Sequence, residues 1–495
     1  MTTQYKLIAF SAITHRIAPL QDALDQNLSL QQYFLTQLIH ASPTKDQKAF
    51  WLGVDAEITG ELKGHLIQLS LNQLLKQHSL LNAHFSDSGM HIASYDRIRA
   101  IELRPELNFD EQVSRLSDFS HCQDRPLVQA FYQSQGNQKW RLQLWIHHLI
   151  ADGTAAGIAI HSLNKLYHSL SSLDPVWGIV ERIKPALKDE LQDLCCRLGG
   201  TIFPPILSPL LPSPIPGSVL MPIQNQVREN QKRVISSPKF LSELTQLGQE
   251  ITDSACVFHL DDEQPITDQS PLSCRNATLT LPQHSQEALL KYARVSDFAE
   301  LKPHKAISLI LEALFYQSMT QINRGQFPLA RQPKSARHFQ SIIGTLQHPN
   351  HAFGVDYVAI SELFPGPVRS DMSASAIMRA IMNTQRNTKT RTYHKQVPAE
   401  ALLLGLGMKG AAIEFNYKDI DIVPQLNGCE TTRAQRLPEN LWWWGPHYQV
   451  RLTCDVDASD LTCIKVAFVS SHMPEGYADR VLTQFNENFQ ALLSQ

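Results

Sequence analysis

The feature that most constrains the fold is a strand followed at once by a helix, at residues 140–170. From position 140 to position 148 apolar and other residues alternate, so successive side chains lie on opposite faces of a strand. One face carries Trp140, Leu142, Leu144, Ile146 and His148, and the other carries Arg141, Gln143, Trp145 and His147. Beyond Gly153 the apolar residues recur at helical spacing, with Thr154 as the expected N-cap. The segment therefore predicts a strand, a short turn and a helix.

The end of this strand carries two adjacent histidines, and the turn after it carries an Asp and a Gly. Because side chains alternate, His147 and His148 point to opposite sides of the strand. Only one of them can face a substrate, and the other should pack or hydrogen-bond inside the fold. Histidines are often purely structural, but His147, His148, Asp152 and Gly153 together form an uncommon combination.

Other chemistries fit this turn poorly. His148 and Asp152 are four residues apart, yet they straddle a strand-to-helix turn and have no evident third ligand, so we predict no metal site. The sequence contains no Gly-x-Ser-x-Gly segment of a serine hydrolase. It also contains no Walker-type phosphate loop and no clear dinucleotide fingerprint.

The remaining interpretation is that one of the histidines acts alone as a general base. A neutral imidazole can take a proton from an alcohol or amine as that group attacks an activated carbonyl. A thioester donor suits this scheme, because it needs no further activation and proximity supplies much of the rate. In this interpretation Asp152 closes the turn, and Gly153 gives the backbone a conformation that side chains disfavour.

Residues 147–153 resemble the His-His-x-x-x-Asp-Gly motif of the thioester-dependent acyltransferase superfamily. This superfamily includes chloramphenicol acetyltransferase-like proteins, stand-alone O-acyltransferases, wax ester synthases and the condensation domains of non-ribosomal peptide synthetases. Three further segments are similar to condensation domains: residues 74–85, the Arg-Pro-Leu run at 125–127, and residues 413–417. Of the four segments, only the double-histidine motif is specific.

The resemblance implies a fold and a set of roles. The fold would be the two-lobed α/β fold of chloramphenicol acetyltransferase, with mixed sheets flanked by helices and a channel between the lobes. His148 would be the catalytic base, His147 a structural neighbour and Asp152 an orienting residue, usually paired with an arginine. Asn82 stands where that arginine is often found, so the partner of Asp152 is open.

The resemblance also indicates a substrate channel in the second half of the chain. Phe415, Asn416 and Tyr417 would line it, although Lys418 and Asp419 replace the Leu-Gly that follows in condensation domains. Trp444 belongs to a run of three tryptophans, which we interpret as a wedge in the core or between lobes, or else as an aromatic wall of the acceptor pocket.

The chain can be divided by composition. Residues 1–200 form the expected N-terminal lobe, and residues 273–495 form the C-terminal lobe. Residues 201–272 form a connecting segment that is rich in proline between 204 and 222. Within the lobes, helices are predicted at 29–41, 59–77, 303–322, 371–387 and 476–493, with Asp371 as a cap. Strands predicted at 448–456 and 461–470 form an antiparallel pair.

The overall composition excludes several partners and compartments. The chain has 495 residues, a net charge of −3 and 43% hydrophobic residues, so it should be globular and should not bind nucleic acid. Its eight cysteines form no Cys-x-x-Cys pair, and the N-terminus lacks the pattern of a signal peptide. We expect a cytoplasmic monomer.

Three functions remain open at this stage. The favoured one is transfer of an acyl group from a thioester, acyl-CoA or a phosphopantetheinyl group on a separate carrier protein, to a hydroxyl of a small molecule. The second is a stand-alone, amide-forming condensation enzyme of secondary metabolism. The third is a non-catalytic binding protein of the same fold. No bound cofactor is expected, since the thioester is a co-substrate.

Overall fold

The structure, a computed structural model, describes most of the chain in segments. These are residues 10–41, 50–86, 89–92, 100–116, 127–171, 227–254, 275–282, 284–295, 298–326, 339–343, 360–364, 368, 371–394, 396–407, 413–418, 423–433, 450–456, 464–470 and 477–494. The proline-rich residues 204–222, Arg125-Pro126 and Trp444 lie outside these segments. Among the helices of the described segments, none is long and apolar enough to cross a membrane.

Two mixed β-sheets organise the protein. The first has the order β11-β1-β6-β5-β4, and only β4 and β5 run parallel. Its strands are β1 (Trp51–Gly60), β4 (Ala100–Glu102), β5 (Val128–Gly136), β6 (Lys139–His147) and β11 (Cys429–Arg433). A separate hairpin is formed by β2 (Ala83–Ser86) and β3 (Gly89–Ile92).

The second sheet has the order β7-β13-β12-β10-β8-β9. Its strands are β7 (Arg275–Thr280), β8 (Phe339–Ile343), β9 (Ile360–Phe364), β10 (Ile413–Lys418), β12 (Val450–Val456) and β13 (Ile464–Ser470). β10 runs parallel to both β12 and β8, and the other neighbours are antiparallel. The predicted antiparallel pair near the C-terminus is confirmed as β12 and β13.

Eleven helices with defined bounds occur in the described segments, in addition to a helical stretch at 227–235. They are α1 (Phe10–Asp25), α2 (Leu30–Ala41), α3 (Gly64–Gln77), α4 (Phe109–Leu116), α5 (Gly153–Ser171), α6 (Pro238–Ser254), α7 (Ser285–Val295), α8 (Pro303–Gln326), α9 (Ala374–Thr388), α10 (Ala399–Leu406) and α11 (Tyr477–Leu493). The predicted helix at 59–77 begins only at Gly64, because residues 51–60 belong to β1, which the sequence pattern did not predict.

The helices cover the sheets and bury separate cores. α3 and α5 pack on one face of the first sheet, and α4 packs on the other face. In the second half, α7, α8, α9 and α11 form a core with Phe415 of β10. A third core joins α1, α6 and α10 from distant parts of the sequence. The predicted α/β fold with mixed sheets flanked by helices is therefore confirmed.

One strand from the second half of the chain belongs to the first sheet. β11 pairs with β1 from Ala56–Arg433 to Gly60–Cys429. Gly60 has a φ of +137°, and a Cβ there would lie 2.7 Å from the carbonyl oxygen of Gly428, so this crossing requires a glycine. Just before β11, the N–H of Gln425 donates to Oδ1 of Asn164 on α5. The two halves are thus joined beside the helix that follows the histidines, whereas the predicted lobe boundaries and the channel stay predictions.

Candidate functional site

The two adjacent histidines lie at the end of β6, the strand between β1 and β5 in the first sheet. The N–H of His147 donates to the carbonyl of Leu127 next to β5, and the N–H of His148 donates to the carbonyl of Phe50 next to β1, each at 2.8 Å. The backbone of the motif is therefore held from both sides. The predicted alternation is also confirmed: Leu144 and Ile146 lie in the core under α3 and α5, and Trp145 lies in the core under α4.

His147 is enclosed by protein. Its side chain is buried, and its Nδ1 accepts the N–H of Leu149 at 3.0 Å. Its ring also meets the indole of Trp51 edge to face. Burial lowers the pKa of His147 to about 3, because a charged imidazolium would lose its hydration there. His147 is therefore neutral at physiological pH, with its proton on Nε2.

His148 has the opposite tautomer. Its Nδ1 lies 3.1 Å from the carbonyl oxygen of Ala151, and a carbonyl can only accept, so Nδ1 carries the proton. In the neutral ring, Nε2 then carries the lone pair. The side chain is half-buried, whereas His147 is not accessible. The arrangement can therefore present a basic nitrogen with a fixed tautomer.

Asp152 begins the helix that follows. Its Oδ1 accepts the N–H of Ala155 at 2.8 Å, and its carbonyl accepts the N–H of Ala156, which makes Asp152 the N-cap of α5. The expectation that Thr154 is the cap is therefore wrong, because the helix begins two residues earlier than that assignment requires. Similarly, Ser373 caps α9 in place of Asp371.

Gly153 is the first residue of α5. It is not among the described glycines with positive φ, and a Cβ built on it would meet no described atom within 4 Å. The predicted reason for a glycine here, a conformation that side chains disfavour, is therefore wrong. Among the described residues, the missing side chain thus leaves open space one residue after Asp152.

Asn82 lies in the short 3₁₀ helix Ser79–Asn82, between α3 and β2. It is buried, and its Nδ2 donates to the carbonyl of Leu75 at 2.8 Å. At the residue before this helix, Nε2 of His78 forms a hydrogen bond of 3.1 Å with Oγ of Ser162 on α5. Asn82 thus satisfies a backbone carbonyl in the last turn of α3, and its pairing with Asp152 stays a prediction.

The residues predicted to line a channel lie on β10 or outside the described segments. Phe415 is 2% exposed and packs near Phe315 in the second core, with ring centroids 6.4 Å apart. Tyr417 is half-buried beside the same core. The backbone of Asn416 lies between them on β10. Phe415 is therefore a core side chain, and the channel roles of the others stay predictions.

A buried residue that the sequence did not indicate contacts the motif. Nε2 of Gln32, near the start of α2, donates to the carbonyl of Leu149 at 2.8 Å. The pattern Ser29-x-x-Gln32 could have indicated a helix start, but nothing local predicts a contact 117 residues away. Among the described residues, no three His, Cys, Asp or Glu side chains cluster in a way that could hold a metal ion.

Comparison with known proteins gives one partial sequence relative. No family model matches the sequence. Tyrocidine synthase 3 of Brevibacillus parabrevis is 25% identical over 152 residues, which is 28% of this chain and 2% of that protein. The chain thus spans only a small fraction of this relative's length.

Solved structures are similar over nearly the whole chain. VibH, an NRPS condensation enzyme, has a TM-score of 0.64 at 14% identity, covering 94% of this chain and 96% of its own. The starter condensation domain of rhizomide synthetase has a TM-score of 0.60 at 13% identity, covering 94% of each chain. At such identities the likeness concerns the fold. The protein therefore has the fold of the condensation domains of non-ribosomal peptide synthetases.

Proposed function

We propose that this protein is a condensation enzyme, which joins an amine to an acyl group held as a thioester. The observation that carries the proposal is the hydrogen bond from Nδ1 of His148 to the carbonyl of Ala151. It selects the tautomer in which Nε2 is basic, as a general base requires. The condensation-domain fold supports an amine acceptor over the hydroxyl acceptor that the sequence favoured.

The proposed reaction moves one proton through His148. The amine nitrogen attacks the thioester carbonyl while Nε2 of His148 takes a proton from the nitrogen. The tetrahedral intermediate then collapses, the C–S bond breaks, and the imidazolium returns the proton to the leaving thiolate. An amide and a thiol result, and no other reactant is needed.

The oxyanion of the intermediate requires hydrogen-bond donors. We infer that the first turn of α5 supplies them. The N–H groups of Ala155 and Ala156 are bound by Asp152, whereas those of Gly153 and Thr154 precede them and have no acceptor within the helix. The helix dipole favours negative charge at this end. The open space above Gly153 would let a substrate approach these groups.

The proposed partners are a thioester donor and a small amine. The rhizomide starter condensation domain has been solved in complex with C8-CoA and Leu-SNAC. By analogy, the donor here would be an acyl-CoA or an acyl group on the phosphopantetheine of a carrier protein. The channel between the lobes, with Tyr417, Asn416 and Trp444, would bring the two substrates to His148.

The test is a product screen by mass spectrometry. Acyl-CoAs and the same acyl groups on a carrier protein are combined with Leu-SNAC, free amines and alcohols. In His148→Asn, the amide nitrogen can still donate to Ala151, but no base remains. We expect amide products from the unaltered protein and a rate at least about 100-fold lower in His148→Asn. His161→Asn, at an exposed position on α5, should keep the full rate.

The outcomes separate the alternatives. Products formed only with alcohols would replace the amine acceptor by a hydroxyl acceptor, since Nε2 can take a proton from either. A total lack of turnover, carrier-bound donors included, would contradict both enzymes and favour a binding protein of this fold. An equal rate in His148→Asn would contradict the general-base role.

A further inference from the structure

The first turn of α2 contains a reciprocal hydrogen-bonded pair. Oγ of Ser29 accepts the N–H of Gln32 at 3.3 Å, and Oε1 of Gln32 accepts the N–H of Ser29 at 3.0 Å. This is a capping box, which fixes the rotamer of the glutamine. Gln32 has no exposed surface. Its amide nitrogen is directed away from the helix and donates to the carbonyl of Leu149.

Leu149 is the central residue of the turn that carries His148. Its N–H donates to Nδ1 of His147, and its carbonyl accepts from Gln32. The N–H of Ile150 donates to the carbonyl of His147 at 3.1 Å. The peptide planes on both sides of Leu149 are therefore fixed. Two residues later lies the carbonyl of Ala151, the acceptor for Nδ1 of His148.

We propose that Gln32 is a positioning residue for His148. By holding the carbonyl of Leu149, it orients the turn so that the carbonyl of Ala151 stays against Nδ1, and this keeps Nε2 as the basic nitrogen. Gln32 does not touch substrate in this scheme. The effect on turnover rests on the proposed function, whereas the effect on the His148 tautomer does not.

The same helical turn is also held by hydrogen bonds from Gln231. Oε1 of Gln231 accepts the N–H of Leu30 at 3.0 Å, and its Nε2 donates to Oε1 of Gln31 at 2.8 Å and to the carbonyl of Gln396 at 2.9 Å. Gln31 and Gln231 are also buried. Gln31 therefore offers a matched control: it has the same side chain, the adjacent position and similar burial, but its described hydrogen bond goes to Gln231.

The test compares Gln32→Met with Gln31→Met. Methionine keeps the length of the side chain and removes its hydrogen-bonding groups. The tautomer of His148 is measured by ¹⁵N NMR of histidine-labelled protein, with the His148 signals identified by their loss in His148→Asn. We expect the Nδ1–H tautomer in the unaltered protein and in Gln31→Met, and a mixture of both tautomers in Gln32→Met. Amide exchange of Leu149 and Ile150 should be at least about tenfold faster in Gln32→Met alone.

Kinetics give a second readout. In Gln32→Met we expect kcat to fall about tenfold, equivalent to about 1.4 kcal/mol, with KM changed less than about twofold, and Gln31→Met to keep its kcat. If the unaltered protein turns over no thioester, the proposed function fails, and tautomer and exchange still decide the role of Gln32. An unchanged tautomer in Gln32→Met, or equal effects of both variants, would overturn the proposal. If Gln32→Met does not fold, Gln32→Leu takes its place.

Discussion

The rings of Trp51 and His147 meet edge to face, with centroids 5.0 Å apart and planes at 86°. The two residues are direct partners in the register of β1 and β6. Both are buried, at 4% and 2% exposure. Trp51 thus covers one side of an imidazole whose Nδ1 already accepts the N–H of Leu149. A proton on Nδ1 would break that hydrogen bond, and burial would deprive the charged ring of its hydration.

The burial of His147 predicts a loss of stability in mild acid. Its pKa is about 3 in the folded protein, whereas an unfolded histidine titrates near 6.5. Below pH 6.5 the unfolded state therefore binds a proton that the folded state does not, so the free energy of unfolding falls as the pH falls towards 3. We expect His147 to contribute about 2 kcal/mol of this loss between pH 7 and pH 5. Urea unfolding at each pH measures it.

His147→Asn is the matched variant, because its Oδ1 can accept the N–H of Leu149 and does not titrate. It should lose less stability than the unaltered protein over the same range. Some pH dependence should persist, because burial also lowers the pKa of His78, to about 4. His78 therefore also lowers the free energy of unfolding as the pH falls. Parallel curves for the two proteins would mean that His147 is not the titrating group.

Local sequence pattern was sufficient for the strand that carries the site. Alternation alone assigned His147 and His148 to opposite faces, since a period of two is a property of a single strand. It was sufficient as well for α8 and α11, which have long helical patterns. The resemblance to condensation domains then selected His148, and the structure adds the tautomer that makes Nε2 basic.

The sequence pattern could not predict contacts between distant segments. β1 was missed because the charge of Asp55 interrupts its apolar pattern, and the groups that satisfy that carboxylate, Arg141 and Gln143, lie 86 and 88 residues later. The short, polar β11 gives no sign that it crosses to the other sheet. The cap of α5 was misplaced because Asp152 and Thr154 are both good N-caps, and only the first residue of the helix decides between them.

The N-cap role of Asp152 predicts how its variants behave. Asp152→Ala removes the acceptor for the N–H of Ala155 and should lower the free energy of unfolding by about 1 kcal/mol. Asp152→Asn keeps an oxygen at that position and should stay within about 0.5 kcal/mol of the unaltered protein, since it loses only the favourable charge at the helix start. Urea unfolding followed by circular dichroism compares them. Equal losses in both variants would show that the carboxylate charge, and not the cap, is the stabilising feature.

A charged network lies on the face of β6 that carries Arg141 and Gln143, and it links this strand to β1. Arg141 donates to both carboxylate oxygens of Asp55, at 3.1 and 2.7 Å, and Gln143 donates to the same carboxylate at 2.8 Å. Arg141 also binds Asp110 on α4 and lies over the ring of Phe109. Burial lowers the pKa of Arg141, but the hydrogen bonds and charges of Asp55 and Asp110 outweigh that effect and raise it.

This network predicts that loss of Arg141 lowers the free energy of unfolding more than loss of the Asp110 charge does. Arg141→Met leaves the buried charge of Asp55 without its cation and should lower the free energy of unfolding by about 3 kcal/mol. Asp110→Asn should cost less than about 1 kcal/mol, because the Asp110 side chain is 66% exposed. Adding Asp55→Asn to Arg141→Met should restore part of the loss, since the asparagine is neutral and still accepts from Gln143. Urea unfolding of the four proteins measures these differences. If the double variant were less stable than Arg141→Met, the buried charge could not be the cause, and the loss would instead come from the packing of Arg141 over Phe109.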